Sequence, residues 1–343
     1  MDTESIKKVI DNEFDKIEEK INTLDDTLSL QNRETVYAYI VGFFDGEGYI
    51  GVDKQRLSLI INISNTNLEI LKRIKSVFRS KIYVKTEKSE SSKKQWIWKI
   101  SNRNDIKFFL ETILPYSTVK ESQIKLGLEF LENTTDSQGR KGMSSEERKY
   151  REYMYHKFKE PKYYIYTEDE IKRFDEQIKT TTQIQREFDE TVYAYISGFF
   201  DAEGCVDTHF NKRNSSIYLR TSINNTYPNI LIGIKSIFNG NIKKIKKSQN
   251  IKHRQSWFWE SEAKDDVKFF LTKISKYSIV KKPQINLGFK FLETDNCQTK
   301  VFIAKELKRL KDEEYTEEEI KELNEQIEDM NIDKLQHKIS DYK

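Results

Sequence analysis

One twelve-residue pattern occurs twice in this chain. Tyr37-Ala38-Tyr39-Ile40-Val41-Gly42-Phe43-Phe44-Asp45-Gly46-Glu47-Gly48 returns as Tyr193-Ala194-Tyr195-Ile196-Ser197-Gly198-Phe199-Phe200-Asp201-Ala202-Glu203-Gly204. Each copy reads as an apolar helix that ends on an acid followed by glycine. Gly42 and Gly46 in the first copy, and Gly198 and Ala202 in the second, lie four apart on one helix face. Such a smooth face lets two backbones approach closely. A single copy would constrain little, but two imply a duplicated fold whose halves meet along these helices. Following that packing to the helix ends brings Glu47 and Glu203 to one shared place.

The duplication continues beyond the helices. Ile63-Ser64-Asn65-Thr66 answers Ile223-Asn224-Asn225-Thr226, and Trp96-Ile97-Trp98 answers Trp257-Phe258-Trp259. Lys107 to Leu110 matches Lys268 to Leu271, and Gln123 to Leu131 matches Gln284 to Leu292. The offset between copies grows along the chain, so insertions fall in hairpin loops, which tolerate them. Periodicity predicts a helix over 34–46, strands over 49–54 and 56–63, and a helix over 67–79. Strands over 81–88 and 94–101 and helices over 103–113 and 119–132 follow. The expected fold class is α+β, with two pseudo-symmetric αββαββα units forming a saddle. Each unit is an antiparallel four-stranded sheet backed by helices, and its other face is left free for a ligand.

The expected organisation is an N-terminal helical extension over 1–35, a first unit over 36–132, a charged helical linker over 133–190, a second unit over 191–294 and a charged C-terminal extension over 295–343. Ile6, Ile10, Phe14, Ile17 and Ile21 give the first extension a packing face. Thr167 to Glu170 and Thr316 to Glu319 are Thr-x-x-Glu capping boxes that open related helical appendages. Every apolar run is broken before it could span a bilayer, so no membrane role is expected and the chain reads as intracellular. Cys205 and Cys297 fit no metal-ligand spacing and read as reduced thiols.

The net charge of +3 conceals a segregation. Residues 36–132 carry about +5, residues 192–294 about +9 and the remainder about −11. Two basic bodies between acidic flanks suit a polyanion partner; a lysine-rich codon bias is the bland alternative. A carboxylate at a helix C-terminus faces the negative end of the dipole, and a second one nearby adds repulsion. Stability alone would not select Glu47 and Glu203 as neighbours. A divalent cation resolves the conflict, because Mg²⁺ takes a few carboxylate oxygens and completes its shell with water and phosphate oxygens. Gly48 and Gly204 are expected to end the helices without a side chain that blocks the approach.

The segments Ile40 to Gly48 and Ile196 to Gly204 resemble the two signature motifs of a single-chain LAGLIDADG homing endonuclease, and the similarity covers most of 36–132 and 192–294. The resemblance implies a sequence-specific double-stranded DNA endonuclease that acts as a monomer with Mg²⁺ or Mn²⁺ and cuts both strands with 3′ overhangs. It places the metal at Glu47 and Glu203, with Gly46 and Ala202 beside them, and makes Asp45 and Asp201 structural. It also brings Lys120 and Lys281, in the turns before the last core helices, close to the chemistry. There an ammonium could stabilise phosphate charge or tune the attacking water, the alternative being a solvated loop lysine. Asn65 and Asn225 either cap the next helix or contact active-site water. An arginine that some relatives carry one helical turn later is replaced by Glu69 and Asn229.

Antiparallel strands alternate their side chains between faces, and a two-stranded ribbon fits the major groove. Arg56, Ser58 and Asn62 in the first unit, and Tyr218, Arg220 and Ser222 in the second, are the expected base readers. Lys85, Lys93, Lys94, Lys244 and Lys246 are expected on phosphates. Trp96, Trp98, Trp257 and Trp259 could stack on bases, but matched tryptophans in mid-strand read first as core or sheet-packing residues. Two further functions on the same scaffold are an intron RNA maturase and a DNA-binding regulator without cleavage; intact acids in both motifs favour the nuclease. Richness in isoleucine, lysine and asparagine suggests an AT-rich host genome, such as an organelle.

Overall fold

The structure is a computed structural model that describes residues 30–85, 94–135, 143–211, 216–245 and 254–312, with seven further positions between 319 and 327. The expected N-terminal helix, Lys93, Lys246 and the capping box at Thr316 lie outside the described residues. In the first unit, helix α1 (Leu30–Glu47) leads into strands β1 (Gly48–Val52) and β2 (Leu59–Asn65). Helix α2 (Leu68–Val77), strands β3 (Lys81–Lys85) and β4 (Gln95–Ile100), and helices α3 (Arg103–Ile113) and α4 (Glu121–Glu132) follow. The linker holds α5 (Ser145–Lys157), α6 (Glu160–Tyr163) and α7 (Glu168–Thr180).

The second unit repeats the first: α8 (Glu190–Glu203), β5 (Gly204–Asn211), β6 (Ser216–Asn225), α9 (Pro228–Phe238), β7 (Asn241–Lys244), β8 (Trp257–Ser261), α10 (Lys264–Ser275) and α11 (Lys282–Glu293). Helix α12 (Cys297–Asp312) then begins the C-terminal segment. The sheets have the orders β1-β2-β4-β3 and β5-β6-β8-β7, antiparallel throughout, and their registers correspond. Gly48 faces Ile63 in one and Gly204 faces Ile223 in the other. The expected α+β architecture is borne out.

Alternation in the strands decides the layers. Ile50, Ile61, Ile63 and Trp98 are buried on the helix side of the first sheet, as are Val206, Leu219, Ile223, Trp257 and Trp259 in the second. Each core closes around a phenylalanine of the third helix in its unit. Phe109 lies 5.2 Å from Phe44, 4.8 Å from Phe78 and 5.3 Å from Trp98, centroid to centroid. Phe270 lies 5.1 Å from Phe200, 4.8 Å from Phe238 and 5.1 Å from Trp259. Near-edge contacts of this kind add about 0.5–1.5 kcal/mol per pair beyond area burial.

The first hairpin is shorter than its periodicity suggests. The Asp53 side chain accepts from the backbone N–H groups of Gln55 (2.9 Å) and Arg56 (2.6 Å), and Leu57 takes a positive φ of 52°. The chain therefore turns over 53–58, and Arg56 belongs to the turn rather than to β2. The linker divides between the units. Arg151 on α5 is buried and donates to the Leu57 carbonyl at 2.9 Å and to Glu147 at 2.7 Å, fastening α5 to the first hairpin. Helix α7 opens with the expected Thr167–Glu170 capping box. It lies against the second unit, where Phe174 meets Trp257 and Lys235 donates to the Ile178 carbonyl at 2.7 Å.

Candidate active site at the paired helices

Helices α1 and α8 pack at the closest distance two backbones allow. A Cβ on Gly42 would sit 1.9 Å from the Tyr195 carbonyl oxygen, and a Cβ on Gly198 would sit 1.9 Å from that of Tyr39. No side chain larger than hydrogen fits either place. One turn later, a Cβ on Gly46 would meet the Ala202 methyl at 2.4 Å and the Glu203 Cγ at 3.1 Å. The expectation that the helix ends converge is met: Glu47 and Glu203 end their helices beside each other.

The two acids before them are structural, as the resemblance implies, and their partners cross between units. Asp45 is buried and accepts from the Ser117 hydroxyl (2.7 Å) and from the backbone N–H groups of Thr118, Val119 and Lys120 (2.8, 3.0 and 3.1 Å). Its fifth donor is the hydroxyl of Tyr195, from the opposite motif, at 2.6 Å. Asp201 repeats this with Ser278, the N–H groups of Ile279, Val280 and Lys281 (2.6, 2.9 and 2.9 Å), and Tyr39 at 2.6 Å. Burial and the neighbouring aspartate push both tyrosine hydroxyls well above their ordinary pKa, so they remain donors. Each aspartate thereby holds the turn that carries its own unit's lysine. The cross-unit tyrosines were not singled out from the sequence, although both sit in the repeated motif.

At the helix ends, burial first and the Glu203 carboxylate second hold the Glu47 carboxyl above its usual range, with Lys120 and Lys281 pulling it down. Burial does the same to Glu203 against Lys120. Burial also lowers the Lys120 ammonium, opposed by Asp45, Glu203 and Glu47. Its Nζ donates to the Asp45 carbonyl and reaches the Gly46 carbonyl at 3.3 Å. The result is two strained carboxylates and a partly desolvated ammonium in one small space. Among the described residues no cluster of three or more His, Cys, Asp or Glu could hold a metal by itself. A two-carboxylate set of hard oxygens, each raised by burial, suits a Mg²⁺-like cation that draws its remaining ligands from substrate and water.

Gly48 and Gly204 follow directly on the two helix ends, as expected, and they have a packing role as well. A Cβ on Gly48 would strike the Phe44 ring at 2.2 Å, and one on Gly204 would strike the Phe200 ring at 2.1 Å. The glycines make room for the core rings. Asn65 accepts from the Asn67 N–H at 2.8 Å and Asn225 from the Tyr227 N–H at 2.8 Å, each forming an Asx turn into the next helix. Asn67, rather than Asn65, is the capping residue of α2.

The outer faces present some expected readers and withhold others. Asn62 and Tyr218 point outward on their strands and are partly exposed, and Lys85 is exposed and bonded to Gln95 at 2.7 Å. Lys94 sits over the Trp96 ring, 4.6 Å from its centroid. Arg56 and Ser58 line a groove with Lys99 and Arg103 at the hairpin edge. Ser222 faces outward yet is buried, and Lys244 is paired with Asp175 of α7 at 2.9 Å, so neither is offered freely. Arg220 is bound to Asp207 and Glu260. Trp98, Trp257 and Trp259 are fully buried on the helix side, which excludes them from base stacking. No described helix is long and apolar enough to cross a membrane.

Two packed units of this topology, sharing one acid-bearing helix seam, define a class of protein rather than an individual. Family models match in both units: a LAGLIDADG-like domain over residues 34–114 and a LAGLIDADG endonuclease domain over 196–291, together just over half of the chain. The chain belongs to the LAGLIDADG family, as a member with two motifs. Comparison with curated proteins gives no match. Among solved structures, the homing endonuclease I-GzeII in complex with its DNA target shares the fold at 14% identity and a TM-score of 0.54, covering 82% of this chain and 98% of that one. The meganuclease I-AabMI bound to uncleaved DNA aligns at 19% identity and a TM-score of 0.54, covering 82% and 99%. A double mutant of I-SmaMI aligns at 16% identity and a TM-score of 0.54, covering 80% and 97%.

Proposed function

We propose that this chain is a sequence-specific endonuclease that binds a long, asymmetric DNA duplex as a monomer and hydrolyses one phosphodiester bond in each strand. The observation that carries the reading is the pairing of Glu47 and Glu203 at the end of a helix seam, each acid held above its ordinary pKa beside Lys120 or Lys281. Nothing in the packing of the seam needs these charges there. Glu47 and Glu203 would hold divalent cations, with the Gly46 and Ala202 backbone beside them. Such an ion supplies charge neutralisation on phosphate and a more acidic bound water.

The chain's own residues do the rest. Asp45 and Asp201 hold the turns that bring Lys120 and Lys281 to the acids, and an ammonium there opposes negative charge on the phosphate being attacked. The Gly46 carbonyl, already near Lys120 Nζ, takes part through that lysine's placement. The basic outer faces of the two sheets would embrace the flanking half-sites.

Glu47→Gln and Glu203→Gln variants test this. Each should lower double-strand cleavage with Mg²⁺ by about a thousandfold or more, while binding to the same duplex in Ca²⁺ stays within about threefold. A variant that cuts both strands at the wild-type rate would end the assignment. Tight binding to structured RNA, with no duplex cleaved from a randomised library by the wild type, would favour a maturase.

A further inference from the structure

The outer faces of the two sheets share one register and differ in chemistry at matched positions. Because Gly48 pairs with Ile63 as Gly204 pairs with Ile223, Gly51 and Ile60 correspond to Asp207 and Arg220. Across the next strand, Ile97 and Lys99 correspond to Phe258 and Glu260, and Tyr83 corresponds to Lys243. In the second unit the position is an arginine held on three sides. Arg220 Nε lies 2.9 Å and Nη2 3.1 Å from the Asp207 carboxylate, while Nη1 lies 3.4 Å from Glu260. Its guanidinium carbon sits 5.7 Å from the Phe258 ring centroid. Lys243 pairs with Glu260, and Lys311 from α12 reaches Asp207 at 3.4 Å.

A guanidinium has five N–H groups, so two remain, one on each terminal nitrogen. That number matches the O6 and N7 acceptors of guanine, and a fork whose rotamer is fixed by carboxylates loses little entropy on binding them. At the place of Arg220 the first unit offers Ile60, paired with Gly51 and one row from Tyr49 and Asn62, an apolar side chain that suits the thymine methyl.

We propose that the DNA target is chemically polar about its pseudo-dyad: guanine is read by Arg220 in the half-site under the second sheet, and thymine is read by Ile60 at the dyad-related position under the first. This inference rests on the DNA-cleaving function above. Asp207 and Glu260 act as positioning residues, and Arg220 and Ile60 set specificity.

Selection of bound duplexes from a randomised library in Ca²⁺, using the full chain, tests it. One guanine should emerge in one half only, with thymine at its symmetric partner. Arg220→Gln should reduce the preference for that guanine by roughly 5- to 150-fold and leave the other positions unchanged. Should that variant fold poorly, Arg220→Lys, which keeps the charge but not the fork, should show the same local loss. Replacing the thymine by deoxyuridine should weaken wild-type binding about fourfold and leave Ile60→Ala indifferent. If Arg220→Gln weakens every sequence equally with an unchanged consensus, the polarity is overturned while DNA recognition stands. If no duplex is enriched by the wild type, the nuclease reading falls, and this inference with it.

Discussion

The helix seam and the sheet faces of this molecule were duplicated together and now differ in how well they have kept their symmetry. Along the seam the equivalence is close. Gly42 meets Tyr195 as Gly198 meets Tyr39, Asp45 takes Tyr195 as Asp201 takes Tyr39, and both aspartates cap a lysine-bearing turn. Across the outer faces the equivalence is lost, since Ile60 stands where Arg220 stands and Lys99 where Glu260 stands. A seam of two touching backbones admits few solutions, because any added atom meets a carbonyl. An open strand face admits many, because a solvated side chain has little to clash with. Under the proposed function this division has a use: two strands need the same chemistry, and two half-sites need different recognition.

The sharpest way to break the comparison is to place the same methyl group in both regions. Gly42→Ala or Gly198→Ala forces a Cβ into a backbone carbonyl and should cost about 3 kcal/mol or more, measured by denaturant unfolding. Next in size, Asp45→Asn and Asp201→Asn each replace an acceptor serving five donors and should cost about 3 kcal/mol, the two values agreeing within about 1. Tyr39→Phe and Tyr195→Phe should cost about 1–2 kcal/mol each, because one buried aspartate oxygen loses its cross-unit donor. A large inequality between the members of either pair would show that the seam is less symmetric than its geometry.

A subtler effect concerns the acids at the seam's end. Both are held above the ordinary carboxylate range, so the folded chain keeps protons that the unfolded chain has released. Their contribution to stability is full below the ordinary pKa and is lost as pH rises through the raised one. Glu47→Gln and Glu203→Gln should therefore raise Tm at neutral pH and leave it unchanged below about pH 4, where the wild-type acids are also neutral. The smallest expected effect is Gly51→Ala on the outer face. There the atoms nearest the new Cβ belong to the phenol end of Tyr49, with the hydroxyl at 2.4 Å, and the far end of a flexible, exposed side chain yields more cheaply than a backbone carbonyl, so the cost should stay under about 1 kcal/mol.

Much of this architecture was legible because duplication turns a weak local signal into a strong one. The paired acids, the order of strands and helices and the three buried tryptophans follow from matching two copies of a motif, and the role of Asp45 and Asp201 from the family resemblance. Arg56 was misplaced because an Asx turn at Asp53, not hydrophobic alternation, decides where β2 begins. The need of the Phe44 and Phe200 rings for Gly48 and Gly204 was not legible, because it depends on how each ring folds back over its own helix end.

The amino-acid order alone determined that two helices must meet and what they carry at their ends, since periodicity and side-chain volume act over a few residues. Only the folded chain decided which strand side chains are available. Lys244 is taken by Asp175, from a linker helix 69 positions away, and Arg220 is fixed in direction by Asp207 and Glu260 on neighbouring strands, with two N–H groups left over. Such partners are selected by register and by the docking of distant helices, and a charge cannot announce along its own segment which opposite charge will reach it.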